Sequence, residues 1–102
     1  MFGDLMGKLQ DAKRNIEVTK AKLDNITVVG EAGSGTVKVE ANGNRVIKSI
    51  TFADALMEED KEQLEDLLIL AVNKALENAN NVNEAEMQAA STDLLSGLPG
   101  MG

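Results

Sequence analysis

Apolar side chains recur at alternating intervals of three and four residues through the first quarter of the chain. This spacing predicts a helix over residues 2–24 with a narrow apolar stripe, here called the N-terminal seam. The seam consists of Phe2, Leu5, Leu9, Ala12, Ile16, Thr19 and Leu23. A stripe this narrow is typical of a helix that packs against one partner helix and not against a broad sheet.

The middle of the chain changes to the two-residue period of β-strands. The pattern predicts strands over residues 26–30, 36–41 and 45–52. The glycines between residues 31 and 35 and the pair Asn42-Gly43 indicate the turns that join them. These segments therefore form a three-stranded antiparallel meander with one apolar face.

The third predicted strand contains one residue that does not fit its apolar face. Val46, Ile50 and Phe52 share a face by parity, and Lys48 falls on that same face. We therefore expect an edge position or a β-bulge at Lys48.

The last part of the chain returns to helical spacing and predicts a long helix over residues 58–95. Its main apolar stripe is formed by Leu64, Leu68, Ala71, Ala75, Ala79 and Val82. Residues 67–72 are apolar nearly all round, so one side can cover the meander while another needs a second subunit. Four asparagines between residues 78 and 83 weaken the helix locally, which leaves open whether it continues or restarts there.

Together the elements predict an α+β fold with the order α-β-β-β-α. It is a single domain over residues 1–96, with a projecting N-terminal helix and a long C-terminal helix, and residues 97–102 form a flexible tail. We expect a homodimer, because one small meander cannot cover all the apolar surface. The predicted interface residues are Leu5, Leu9, Ile16, Leu67 and Leu70.

The composition removes most catalytic chemistry. The chain has no cysteine and no histidine, so thiolate sites, Ser-His couples and the usual zinc ligands are excluded. Two paired carboxylates can support some hydrolyses, but nothing indicates a pocket that would separate their pKa values. We predict a protein that is not an enzyme and needs no metal or cofactor. No apolar run approaches a membrane span and no signal peptide is recognisable, so we expect a cytoplasmic protein.

The net charge of −7 argues against a general nucleic-acid binder, but the charge is uneven. Residues 1–52 carry 8 basic and 6 acidic groups, whereas residues 53–102 carry 2 basic and 11 acidic groups. The first half is therefore weakly basic and the second half strongly acidic.

Two other stretches could be mistaken for ligand sites. The loop over residues 30–35 is glycine-rich, but a strand follows it where a phosphate cradle needs a helix, so we interpret it as a hairpin turn. The acidic residues at the start of the last helix could bind a hard cation, but we interpret them as a solvated helix N-terminus. They are Glu58, Glu59, Asp60, Glu62, Glu65 and Asp66.

Three stretches together resemble the YbaB/EbfC family of nucleoid-associated DNA-binding proteins. They are the lysine-bearing first helix that starts Met1-Phe2-Gly3, the glycine-rich hairpin over 30–39 followed by Asn42-Gly43, and the segment 60–75 with its Leu-Glu-Asp-Leu core. The resemblance covers essentially the whole chain in the same order. It implies a bacterial homodimer with protruding helices that frame double-stranded DNA without catalysis and associate with the nucleoid.

The resemblance implies that basic residues on the helices contact phosphates. On the first helix these are Lys8, Lys13, Arg14, Lys20 and Lys22. The last helix departs from the family pattern, because beyond its start only Lys74 is basic. The basic residues could instead be solvated flanks of the seam, and the acidic helix could serve a protein-interaction adaptor. No small-molecule substrate is expected.

Overall fold

The computed structural model describes residues 2–54 and 60–96, with two helices around one sheet. The elements are α1 (Phe2–Asp24), β1 (Thr27–Ala32), β2 (Val37–Asn42), β3 (Ile47–Phe52) and α2 (Lys61–Ser96). This order confirms the predicted α-β-β-β-α fold. Glu58 and Glu59 of the predicted acidic cluster lie outside the described residues, as does the predicted tail.

The three strands form an antiparallel sheet in the order β1-β2-β3. Its inner face carries Ala32, Val37, Val39 and Ala41, all of them buried. β1 starts one residue later than predicted and runs two residues further, because Glu31 and Ala32 still pair with β2. The turn is correspondingly shorter, with Gly33 and Gly35 at positive φ.

β3 is an edge strand, and it contains the expected bulge. Glu40 pairs with Ser49, but the next residue, Ala41, pairs with Ile47, so Lys48 is the extra residue. The prediction that Val46 joins the inner face is therefore wrong, and Ile47 takes that place. β3 begins two residues after the predicted position 45, since the turn after β2 extends to Val46, whose carbonyl accepts from Asn42 N at 2.9 Å.

α2 lies over β1 and β2 at very short range. A Cβ on Gly30 would lie 2.3 Å from both the carbonyl oxygen of Ala71 and the backbone nitrogen of Ala75, so only glycine permits this approach. The helix presents Ala71, Ala75 and Ala79 to the sheet, and all three are fully buried. The core is consequently built from alanine and valine at a close helix–sheet distance.

α2 runs without a break from Lys61 to Ser96, starting three residues later and ending one residue later than predicted. Asp60 precedes its first turn, and its carbonyl accepts from Leu64 N. The asparagines do not interrupt the helix, because two of them hydrogen-bond to β1 and to the turn after β2. Asn78 Nδ2 donates to Val29 O at 2.8 Å, and Asn83 Nδ2 donates to Gly43 O at 3.0 Å.

The second half of α2 extends beyond the sheet, and α1 packs against it in the opposite direction. Lys22 of α1 bonds to Glu86, while Ala12 and Ile16 lie beside Ala90. We call this pair, α1 with residues 82–96, the helical arm. It makes the molecule 67 Å long but only 21 and 17 Å across. Within the described ranges, neither helix is apolar over a stretch sufficient to cross a membrane.

Candidate nucleic-acid interface

The predicted basic residues of α1 occupy different sides of the helix. Lys13 and Lys20 follow the N-terminal seam on one flank, seven residues apart and so about 10 Å along the axis. Lys8 and Lys22 follow it on the other flank, and Arg14 points away from both. The structure therefore divides the five candidates and does not gather them in one patch.

The flank with Lys13 and Lys20 is the more accessible one. Both residues are exposed. Within residues 4–54 and 60–92, whose side chains the structure describes, neither takes part in a salt bridge, although Glu17 and Asp24 lie on the same side of α1. Two exposed ammonium groups with this spacing can each contact a phosphate oxygen as a point charge.

The other candidates are partly engaged. Lys22 Nζ donates to Glu86 Oε2 at 2.9 Å, with the lysine side chain 60% and the glutamate side chain 29% exposed. Arg14 lies 3.9 Å from Asp11, and Lys8 is half-buried. Lys22 thus makes one contact between the two helices of the arm and would have to leave Glu86 to reach a phosphate.

The turn between β2 and β3 packs against the flank of α1 that carries Lys13 and Lys20. Asn44 Nδ2 donates to the carbonyl of Lys20 at 2.9 Å and to Asp24 Oδ1 at 2.6 Å. Asp24 lies one turn after Lys20 on the same side of α1. This contact brings Arg45, which the sequence analysis does not single out, to the end of the arm that meets the sheet. We call this end the base of the arm.

The outer face of α2 has the opposite charge. Asp66, Glu77 and Glu84 are exposed and recur at intervals of 11 and 7 residues, which places them on one side of the helix. In the described part of the chain, acidic residues form no group of three that could hold a metal ion. The molecule therefore presents a basic flank on α1 and an acidic face on α2.

The predicted dimer-interface residues have two kinds of surroundings. Leu5, Leu9 and Leu70 are exposed, whereas Leu67 is half-buried against the chain's own core. Ile16 lies at the edge of the contact with Ala90 in α2. The single partner helix that the seam predicted is thus, over its second half, the chain's own α2.

An exposed apolar strip lies on β3, which α2 hardly contacts. Ile47, Ile50 and Phe52 are 37–43% exposed although they oppose the buried residues of β2. Phe52 and two leucines of α2, Leu64 and Leu68, line an open hollow of about 230 Å³ at one end. We call Ile47, Ile50, Phe52, Leu64 and Leu68 the β3 strip.

The comparisons with known proteins identify the family and support the fold. A model of the YbaB/EbfC DNA-binding family matches residues 1–94, which confirms the resemblance inferred from the sequence. A nucleoid-associated protein of Flavobacterium johnsoniae is 41% identical, over 95% of this chain and 91% of that protein. One of Hahella chejuensis is 36% identical, over 96% and 89%.

A solved structure has the same fold. The crystal structure of an uncharacterized protein from Helicobacter pylori superposes with a TM-score of 0.76 at 26% sequence identity. The match covers 92% of this chain and 97% of that one.

Proposed function

Because this chain belongs to the YbaB/EbfC family of DNA-binding proteins, we propose that it binds duplex DNA as a homodimer, mainly through the phosphate backbone. Its relatives are named for association with the nucleoid, and we place this chain on the nucleoid in the cytoplasm. By binding there it alters the conformation of the DNA, organises the nucleoid or affects gene expression. The proposed activity involves no catalysis, metal or cofactor.

The observation that carries the proposal is the free basic flank of the projecting arm. Lys13 and Lys20 are exposed on the same side of α1, and they make no salt bridge with residues 4–54 or 60–92. Lysine side chains of this kind contact phosphates and position a protein on DNA, but they do not read bases. We therefore expect little preference for sequence.

The β3 strip supports the homodimer. A helix that covers two of three strands leaves the apolar inner face of the third strand in water, and burial of such surface drives association. The β3 strip lies beside α2. We propose that the flank of α2 from a second copy packs against the strip. This surface replaces the exposed residues of the seam as our first candidate for the interface.

The edge of β3 is poorly suited to extending the sheet into a partner. A bulge and a lysine on an edge strand are both features that oppose strand addition. We therefore propose contact through the face of β3 and not through its edge.

Fluorescence anisotropy with a labelled duplex across a salt series tests the DNA proposal. The logarithm of the association constant should fall linearly with the logarithm of salt concentration, with a slope of about −0.9 per phosphate contact. Replacing Lys13 and Lys20 with glutamine should reduce both affinity and slope. Lys22→Gln is the matched control on the opposite flank, and it should have a smaller effect because Glu86 engages this lysine.

A protein-interaction adaptor is the second candidate function. The exposed acidic face of α2 favours it, because Asp66, Glu77 and Glu84 would attract a basic partner protein. Pull-downs with and without nuclease separate the two functions. Partners that are retained after nuclease treatment, together with no binding to purified duplex, would favour the adaptor.

A further inference from the structure

The base of the arm carries a second pair of basic side chains, on the turn after β2 and on the bulge of β3. Arg45 and Lys48 are both exposed, and no acidic residue occurs between positions 41 and 53. Elsewhere on the sheet Lys38 is paired with Glu40 at 3.8 Å. No salt bridge with a described residue involves Arg45 or Lys48.

Hydrogen bonds hold the turn in a defined place relative to both helices. Asn42 Oδ1 accepts from the backbone nitrogens of Asn44 and Val46, which fixes the turn. Asn44 then binds α1 through Lys20 O and Asp24 Oδ1. Arg45, at φ 65°, donates from Nη1 to Asn80 Oδ1 of α2 at 2.9 Å.

Arg45 retains donors for an anion in this position. A guanidinium has five N–H groups, and the bond to Asn80 uses one of them. The amide of Asn80 orients the side chain and donates in turn from Nδ2 to Glu84 Oε1 at 3.2 Å, but Arg45 makes no salt bridge with that carboxylate. Lys48 lies in the bulge of the edge strand, three residues after Arg45 in the sequence.

We propose that Arg45 and Lys48 form a second phosphate-binding site at the base of the arm, continuing the basic flank formed by Lys13 and Lys20. The inference rests on the proposed DNA binding and extends it from α1 to the sheet. A duplex lying along this side would contact the arm through the two lysines of α1 and the sheet through the turn and bulge. The ligand chemistry is the phosphodiester backbone of duplex DNA.

The opposing structural explanation is that Arg45 only fastens the turn to α2 and that Lys48 only protects the sheet edge. Two matched pairs of variants distinguish these roles. Arg45→Lys keeps the charge and Arg45→Gln removes it, and both alter the bond to Asn80. Lys48→Gln removes an exposed cation from β3, and Lys38→Gln removes one from β2 on the same sheet.

The experiment is duplex binding by the full-length protein over a salt series, with thermal unfolding as the check on folding. The double variant Arg45→Gln/Lys48→Gln should bind more weakly, and its salt slope should fall by about one for each phosphate that it no longer neutralises. Arg45→Lys and Lys38→Gln should stay near the wild-type slope.

A wild-type slope in the double variant would overturn the inference. Equal losses for Arg45→Lys and Arg45→Gln would overturn it for Arg45, because the bond to Asn80 and not the charge would then matter. If the double variant keeps the wild-type slope while the Lys13 and Lys20 variants bind more weakly, only this inference fails. If the wild type binds no duplex, the proposed function fails as well.

Discussion

Gly30 sets the distance between the helix layer and the sheet. A side chain at this position would overlap the backbone of α2 at Ala71 and Ala75, and backbone atoms cannot move aside as a flexible side chain can. The strand spacing reveals that residue 30 lies in or beside a strand. It cannot reveal which helix residues approach it, because they lie more than 40 positions further along the chain.

Gly30→Ala should therefore destabilise the fold by about 2–3 kcal/mol, as overpacking of a tight contact does. Urea unfolding followed by circular dichroism measures the loss. Gly7→Ala is the control, because a Cβ there meets nothing within 4 Å and helix propensity favours alanine. Equal stabilities for the wild type and Gly30→Ala would contradict the close approach.

Lys48 and Gly43 show what local sequence can and cannot predict. By parity Lys48 falls on the same face of the strand as Val46 and Ile50, two positions away on either side. The bulge can therefore be predicted from local sequence. Turn chemistry alone accounts for Gly43 in the sequence, yet in the structure this glycine also permits close contact with α1. A Cβ on Gly43 would lie 2.6 Å from Leu23 Cδ2, a contact between elements that no local pattern contains.

At the scale of elements, the asparagines of α2 have a role opposite to the one their propensity indicates. Their side chains disfavour helix, but the ones that face the sheet connect α2 to β1 and to the turn after β2. The hydrogen bonds stabilise the point where the arm leaves the sheet. Sequence spacing could not predict them because both acceptors are backbone carbonyls.

Asn83→Ala should cost about 1 kcal/mol, since the carbonyl of Gly43 loses its side-chain donor in a partly buried place. Asn81→Ala is the matched control. Asn81 is exposed and makes no side-chain hydrogen bond with the described residues, so alanine there should leave stability unchanged or raise it slightly. Thermal unfolding of both variants checks the difference, and a loss in Asn81→Ala equal to that in Asn83→Ala would refute it.

The pairing of α1 with α2 agrees with the charges beside the N-terminal seam. Basic residues flank the seam on both sides, so two copies of α1 would bring like charges together, whereas α2 offers Glu86. The seam indicated one partner helix, but its spacing could not identify which. Charge and chain geometry together favour the chain's own α2.

Lys22→Glu should weaken the arm by about 0.5 kcal/mol, because the new carboxylate would face Glu86 across a partly exposed contact. The double variant Lys22→Glu/Glu86→Lys restores opposite charges and should recover the loss. Urea unfolding of the two single variants, the double variant and the wild type gives the coupling. A coupling energy of zero would show that the pair does not stabilise the arm.

At the scale of the whole molecule, the long arm and the uncovered β3 strip explain why the sequence contains more apolar residues than one subunit can bury. The predicted need for a second subunit came from residues 67–72, and the structure adds the strip as a second reason. Ile50→Glu should convert the proposed dimer of about 21.6 kDa, twice the chain mass, to a monomer.

Size-exclusion chromatography with light scattering measures this change. Thr51→Glu is the control, because Thr51 lies on the outer face of the same strand opposite Lys38, where a carboxylate is tolerated. It should remain a dimer. A monomeric wild type would remove the proposed dimer, and dimeric Ile50→Glu would place its interface elsewhere, with the exposed seam residues next to be tested.

We propose that two copies of this chain hold one duplex by its backbone. Sedimentation velocity of the purified protein with a short labelled duplex at low salt tests it most directly. We expect a complex of two chains per duplex that dissociates as salt is raised and forms equally well on unrelated sequences. A duplex that sediments as free DNA at every salt concentration, or a complex with one chain, would contradict it.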